Sequence, residues 1–416
     1  MRRSTALSAA AAVAVAVGAM VALADTGSAA PSTSTATTTA ALSGNWYAAA
    51  PYVMPLDNDP PDLSQVMAAT GQRAFQLAFI LSDGGCSAAW DGSTAQEVAT
   101  DTTVAGVINS VRAAGGDVSV SFGGANGTKL GQVCGTPAGT AAAEQAVINK
   151  YSLHAIDLDL EEPEYENTTA INNEIGAAQI LQRNNPGLYI SITTAGTAAG
   201  TGFFGQNVLN TAKSFGFTPN NFSIMPFDGG FSGAASQLSA LNNFHTLLAN
   251  TFAWDSATAF AHEGFSGMNG RTDSAEFFTQ TDFQSVLSYA TSNGLARFTF
   301  WSLNRDRQCT VPDNNGVLSG TCSSVPQAAW DFTRFDVQFA GATPPPVTSQ
   351  PAPPVTTTPP AGGTGACTGI TAWNSSTAFV GGSTVTFGGH KWTAQWWTFN
   401  DTPGGAAGVW VDNGPC

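Results

Sequence analysis

Short apolar runs alternate with stretches of helical character about eight times across roughly 300 residues. Candidate strands lie near 46–54, 75–81, 118–122, 155–161, 188–193, 222–227, 258–262 and 297–301. Helical periodicity falls between several of them, over 101–114, 141–151, 169–184, 236–248 and 282–292. A strand followed by a helix packs onto a parallel sheet, and a run of so many units fits a closed barrel better than an open doubly wound sheet. The dinucleotide-binding form of the open sheet needs a Gly-x-Gly-x-x-Gly turn after its first strand, and that turn is missing. The expected class is α/β, with a (β/α)8 TIM barrel over 43–340.

The fourth run, Ala155-Ile156-Asp157-Leu158-Asp159-Leu160-Glu161, carries the chemistry. Strand side chains alternate, so Asp157, Asp159 and Glu161 share one face and Ile156, Leu158 and Leu160 the other. Three like charges in a row repel, and the repulsion raises at least one pKa unless cations intervene. A calcium loop counted from Asp157 would need glycine sixth and glutamate twelfth, where Glu162 and Thr168 stand. A divalent-metal site on the acidic strand, acids solvated along a sheet edge, and acid–base work on a sugar are left; the last is favoured. In such barrels catalytic groups sit at the C-terminal strand ends. Glu161 and the following Glu162-Pro163 end the fourth strand, Ser121-Phe122-Gly123-Gly124 the third, Met225-Pro226-Phe227-Asp228 the sixth and Trp301 the eighth.

The net charge of −15, with only four scattered lysines (Lys129, Lys150, Lys213, Lys391), leaves no basic patch for nucleic acid or an anionic membrane surface. Residues 1–30 read as a secretory signal peptide: two arginines, an alanine- and valine-rich run, then small residues at Ala24 and Ala29–Ala30. A membrane anchor is the weaker reading of the same run, and no later stretch approaches the roughly 20 apolar residues a bilayer requires. An exported, soluble, monomeric product is expected. Six cysteines suit that compartment, and proximity favours Cys86–Cys134, Cys309–Cys322 and Cys367–Cys416. With no Cys-x-x-Cys or His-x-His pair and four histidines far apart, neither a zinc site nor a cofactor is expected. A Ser/Thr/Ala tract over 31–42 has the composition of a disordered segment, and a Pro/Thr tract over 341–365 that of a semi-rigid linker. Beyond it, 366–416 is too short for a large core, yet holds Trp373, Trp392, Trp396, Trp397 and Trp410 among the chain's 10 tryptophans. Trp396 and Trp397 are consecutive, so on a strand they face opposite sides and one is exposed; Trp373 and Trp410 suit a core. Trp46 and Trp90 fit either core or sugar platform.

Ser121-Phe122-Gly123-Gly124, the Asp-x-Asp-x-Glu of 157–161, Met225-x-Phe227-Asp228 and Trp301, in that order, resemble family 18 glycoside hydrolases, the chitinases and their relatives. Ala78-Phe79, Gly115-Gly116-Asp117-Val118 and the segment 300–306 resemble one branch of bacterial and archaeal members. The resemblance implies that Glu161 protonates the leaving oxygen while the substrate's own acetamide attacks. It further implies that Asp159 orients that acetamide, sharing protons with Asp157, and that Asp228 supplies a further acceptor. Trp301 would floor the sugar site, with Met225, Phe227, Gly123 and Gly124 around it. Two positions depart from the family pattern. His154-Ala155 replace a leading Asp-Gly, and Phe227 stands where a tyrosine hydroxyl would hold the acetamide carbonyl, a contact worth on the order of a few kcal/mol. The tryptophans, glycines and bracketing cysteines of 366–416 resemble the type-3 chitin-binding domain, which implies an aromatic platform including Trp396 and Trp397. The expected function is a secreted chitinase acting on chitin or N-acetylglucosamine oligosaccharides. The alternatives are a chitin-binding protein with impaired catalysis and an endo-β-N-acetylglucosaminidase.

Overall fold

Period-two alternation builds both faces of the main sheet. Its eight parallel strands are β1 (Tyr52–Val53), β2 (Ala74–Ser82), β3 (Asp117–Gly123), β4 (Ala155–Leu160), β5 (Tyr189–Thr197), β6 (Asn221–Met225), β7 (Glu263–Met268) and β8 (Arg297–Trp301). Each pairs with the next, and each is followed by a helix: α1 (Leu63–Thr70), α2 (Thr103–Ala113), α3 (Pro137–Tyr151), α4 (Thr168–Asn184), α5 (Phe203–Phe215), α6 (Gly233–Phe252), α7 (Gln280–Asn293) and α8 (Thr333–Phe339). This is a (β/α)8 TIM barrel. Side chains draw its two ends together: Thr299 Oγ1 donates to the Ala50 carbonyl at 2.5 Å, and Asn304 Nδ2 to that of Met54 at 3.0 Å. This computed structural model describes residues 40–344 and, in the C-terminal unit, 367, 369–374, 378–379, 383–394, 398–399, 402–405 and 409–416. The expected signal peptide of 1–30, most of the 31–42 and 341–365 tracts, and Trp396 and Trp397 lie outside the described residues.

One strand face packs beneath the helices through Phe75, Leu77, Val118, Val120, Ile156, Leu158, Ile190, Ile192, Phe222, Ile224, Phe265 and Phe298, all buried. Each such side chain contributes roughly 1.5–3 kcal/mol by leaving water. The other face is polar and tied together at one point. Asp157 Oδ1 accepts from Arg297 Nη1 at 2.6 Å and Thr193 Oγ1 at 2.8 Å. Its Oδ2 accepts from Ser121 Oγ at 2.7 Å, the Tyr52 hydroxyl at 2.9 Å and Gln76 Nε2 at 3.1 Å. These residues come from β1, β2, β3, β4, β5 and β8, and Arg297 and Asp157 are both fully buried.

Two expected strands are displaced. Residues 46–54 contain a short helix, Gly44–Ala48, before the two-residue β1. Residues 258–262 fall largely in a helix, Ser256–Phe260, started by Asp255 accepting from the Thr258 N–H at 2.8 Å. The seventh strand follows at Glu263–Met268. Two glycines lower its strand propensity, and both are demanded by packing. A Cβ at Gly264 would strike Ser223 Oγ, and one at Gly267 would lie 2.8 Å from the Phe265 and Phe283 rings. The short helices α1 and α8, and α5, fall outside the helical stretches expected from the sequence, although α5 buries Val208, Leu209 and Ala212 at helical spacing.

All three expected disulfides are present, Cys86–Cys134, Cys309–Cys322 and Cys367–Cys416. The C-terminal unit is all-β: Thr384–Phe387, His390–Ala394 and Trp410–Pro415 form one antiparallel sheet, and Ala378–Phe379 pairs with Thr398–Phe399. Trp410 is buried edge-on against Phe379 at 5.3 Å, whereas Trp373 is half-buried against Phe387 at 5.2 Å.

Removing one partner of a buried ion pair strands the other without compensation. Arg297→Met should cost about 3–5 kcal/mol in urea unfolding. Asp157→Asn combined with Arg297→Met should cost less than the two single changes summed; simple additivity would show that the pair does not organise the barrel.

Candidate active site

β4 ends at Leu160, and the cis Glu162–Pro163 bond follows immediately, so Glu161 stands at the strand's C-terminal lip. Asp159 lies one rung below it, only 2 % exposed, with its Oδ1 lacking any hydrogen-bond partner among the described residues. Both line a cleft of about 650 Å³ with Tyr52, Met225, Phe227, Asp228 and Trp301. Phe79 and Trp301 stack on one another there, 5.4 Å apart and 12° from parallel, with the Tyr52 ring edge-on to Trp301 at 5.9 Å. Each of those two stacked rings adjoins a cis peptide bond, Ala78–Phe79 and Trp301–Ser302.

The rungs differ in electrostatics. The carboxyl of Asp159 is held well above the usual range by burial, then by Glu161 and Asp157, against the opposing pull of Arg297 and Lys129. Glu161 is pushed up to about 7, by burial first, then Glu162, Asp273 and Asp228, again with Lys129 opposing. A carboxyl that keeps its proton near neutrality can act as a general acid. Lys129 is buried in the loop after β3, its Nζ donating to the carbonyls of Gly127 at 3.2 Å and Glu162 at 3.3 Å. Behind it, Glu144, Glu164 and Glu174 are buried together with carboxyls raised by burial; Glu174 raises the other two further, while its own rise is opposed by them and by the Gly131 N–H, which it accepts at 2.6 Å. Among the described residues no cluster could hold a metal ion.

A cleft with a raised acid, a partnerless carboxyl oxygen and an aromatic floor at the C-terminal end of a barrel suits a carbohydrate substrate. The chain is similar to chitinases. It is 26% identical over 280 residues to endochitinase 11 of Metarhizium anisopliae, covering 62% of this chain and 52% of that protein. It is 27% identical over 277 residues to a probable bifunctional chitinase/lysozyme of Escherichia coli K12, covering 62% of this chain and 30% of the relative. The chain thus spans about half of the first relative's length and under a third of the second's. In fold it matches the catalytic domain of a hyperthermophilic chitinase from Pyrococcus furiosus with a TM-score of 0.63 at 24% identity, over 70% of this chain and 94% of that one. No family model matches the chain.

Several residues singled out in the sequence fall elsewhere than expected. Asp157 does not share a proton with Asp159 through any hydrogen bond; its oxygens are taken by the barrel donors described above. Gly123 and Gly124 do not line the cleft. Gly123, at φ +108°, leaves room for the Asp159 carbonyl, and Gly124, at φ +86°, donates its N–H to that carbonyl at 2.9 Å. A Cβ on Gly124 would sit 2.7 Å from the Phe79 ring. Asp228, at φ +57°, lines the cleft with Oδ1 accepting the Ser274 N–H at 2.6 Å. Its own N–H, with those of Gly230 and Phe231, is gathered by Glu276 at 2.6–2.7 Å. Trp90 is core, buried with its indole donating to the Tyr151 hydroxyl, and neither it nor Trp46 borders the cleft.

Asp273, Lys129, Phe79 and Tyr52 complete the site without having been singled out for it. Asp273 comes from a hairpin of two-residue strands, too short for any periodicity. Lys129 carries one signal, as a lone lysine downstream of Ser121-Phe122-Gly123-Gly124 in a lysine-poor chain.

Taking the ammonium of Lys129 away leaves Glu161 and Asp159 facing only like charges and Arg297. In Lys129→Met, the carboxyl carbon of Glu161 should titrate at higher pH by NMR than in the unsubstituted chain. An unchanged titration would show that Lys129 serves only to brace the loop.

Proposed function

We propose that this chain is a secreted, monomeric chitinase that hydrolyses β-1,4-linked N-acetylglucosamine with retention and needs no cofactor. The observation that carries the reading is Glu161, raised to about 7 at the lip of a cleft that also holds the partnerless Asp159 oxygen and the Trp301 floor. Protonated Glu161 gives its proton to the glycosidic oxygen as the bond to the anomeric carbon breaks. The substrate's acetamide oxygen forms the new bond to that carbon, and the nitrogen lone pair supplies the resulting oxazolinium. Asp159 accepts the acetamide N–H and offsets the positive charge. Water then opens the ring, with Glu161 taking back a proton.

In this reading Asp157 belongs to the scaffold, Asp228 to the cleft wall with Asp273, and Met225 and Phe227 to the apolar side of the site. Export is supported by the character of residues 1–30 and by three disulfides, which persist in oxidising compartments. Anchoring to chitin by the C-terminal unit rests on its tryptophan-rich sequence, with Trp396 and Trp397 as the proposed platform. The names of the relatives support chitin over the N-glycans an endo-β-N-acetylglucosaminidase would cleave. Phe227 lines the cleft without a hydroxyl and favours a second reading, a chitin-binding protein with impaired catalysis.

Soluble oligosaccharide released from colloidal chitin separates the two. Glu161→Gln should lower release about 10²–10⁴-fold while chitin binding is kept. Because Glu161 works protonated, kcat/KM should fall as pH rises through about 7. Binding without release at any pH would leave the second reading standing.

A further inference from the structure

Two polar atoms facing the cleft are buried without a partner among the described residues: Asp159 Oδ1 and Ser266 Oγ. Ser266 lies on β7 and is 1 % exposed. It is in register with Thr299 on β8, two residues before the Trp301 floor. The other hydroxyls lining the cleft are engaged. Tyr52 donates to Asp157 at 2.9 Å, and Ser274 Oγ lies 3.4 Å from the Asp228 carbonyl. A buried hydroxyl without a partner is costly, and native interiors rarely hold one unless something satisfies it.

The two atoms are of opposite kinds. The Asp159 carboxylate accepts a hydrogen bond, and a serine hydroxyl can donate one. An N-acetyl group presents one N–H and one carbonyl oxygen, so it complements such a pair. We propose that Ser266 binds the carbonyl oxygen of the substrate's N-acetyl group while Asp159 takes its N–H. The hydroxyl that Phe227 cannot provide then comes from β7, on the neighbouring strand, instead of from the loop after β6. This assignment deepens the chitinase reading and rests on it for the identity of the sugar. It makes Ser266 a substrate-contacting residue that holds the attacking oxygen at the anomeric carbon, with the bonds made and broken as above.

The test is a cycle of Ser266→Ala and Phe227→Tyr, alone and together. With N-acetylglucosamine tetramer, Ser266→Ala should lower kcat about 10–100-fold and raise KM about tenfold, as expected for a contact made in the bound substrate and strengthened in the transition state. Adding Phe227→Tyr should restore much of that loss, which a merely structural serine would not allow. In a Glu161→Gln background, calorimetry should show preference for the acetylated over the fully deacetylated tetramer. Ser266→Ala should shrink that preference about tenfold. If Ser266→Ala melts normally and keeps both kcat and acetyl preference, the assignment is overturned while the chitinase reading stands. If the unsubstituted chain does not hydrolyse the tetramer, yet loses its acetyl preference in Ser266→Ala, the chitinase reading fails and the assignment stands. Absence of any acetyl preference in the Glu161→Gln background overturns the assignment.

Discussion

The barrel depends on the contact between Arg297 and Asp157. An isolated charge buried at this depth would be prohibitive, and a buried pair is tolerable only when remaining donors and acceptors are also met. Here they largely are: Tyr52, Gln76, Ser121 and Thr193 surround the pair, so six of the eight strands converge on it. The arrangement fixes register as well as energy, because a one-residue slip in β4 would turn Asp157 into the apolar layer under the helices. Gly264 leaves the neighbouring strand slim enough for Arg297 to enter.

With that knot tied, the three acids of β4 stop behaving as equals. The lowest is absorbed into the framework, the middle one is stripped of water and short of partners, and the uppermost stands where a substrate can reach it. Environments that push neighbouring carboxyls apart are how one strand supplies different protonation states at one pH. Burial and then Glu162, Asp273 and Asp228 raise Glu161 while Lys129 opposes them and also acts on Asp159, so the acidity of Glu161 is a balance struck between four loops.

Much of this was legible in the chain because the relevant signals are local. The alternation in 155–161 declares a strand with acids on one face, and the repeated βα pattern declares the barrel. The absence of a hydroxyl at Phe227 is plain by inspection. What stayed hidden depends on distant neighbours. β7 reads poorly as a strand because its glycines answer to Ser223 and Phe283, far away in sequence. Lys129 and Asp273 reach the site only because the loops after β3 and β7 lie at the same end of the barrel, and Ser266 is concealed with the strand that carries it. Gly123 and Gly124 were expected to meet substrate, since a glycine pair does not reveal which neighbour it makes room for. Asp157 was expected to share protons with Asp159, since the row of acids gives no hint of the arginine 140 residues further on.

The last of those glycine contacts reaches further than its own loop. Gly124 faces the Phe79 ring, and Phe79 stacks on Trp301. A methyl group added at position 124 would press on the first ring and, through it, tilt the second. The contour against which a sugar would rest is therefore governed from a position with no side chain that does not itself line the cleft. Variation there would reshape substrate preference by leverage, leaving every residue of the cleft wall unchanged in identity.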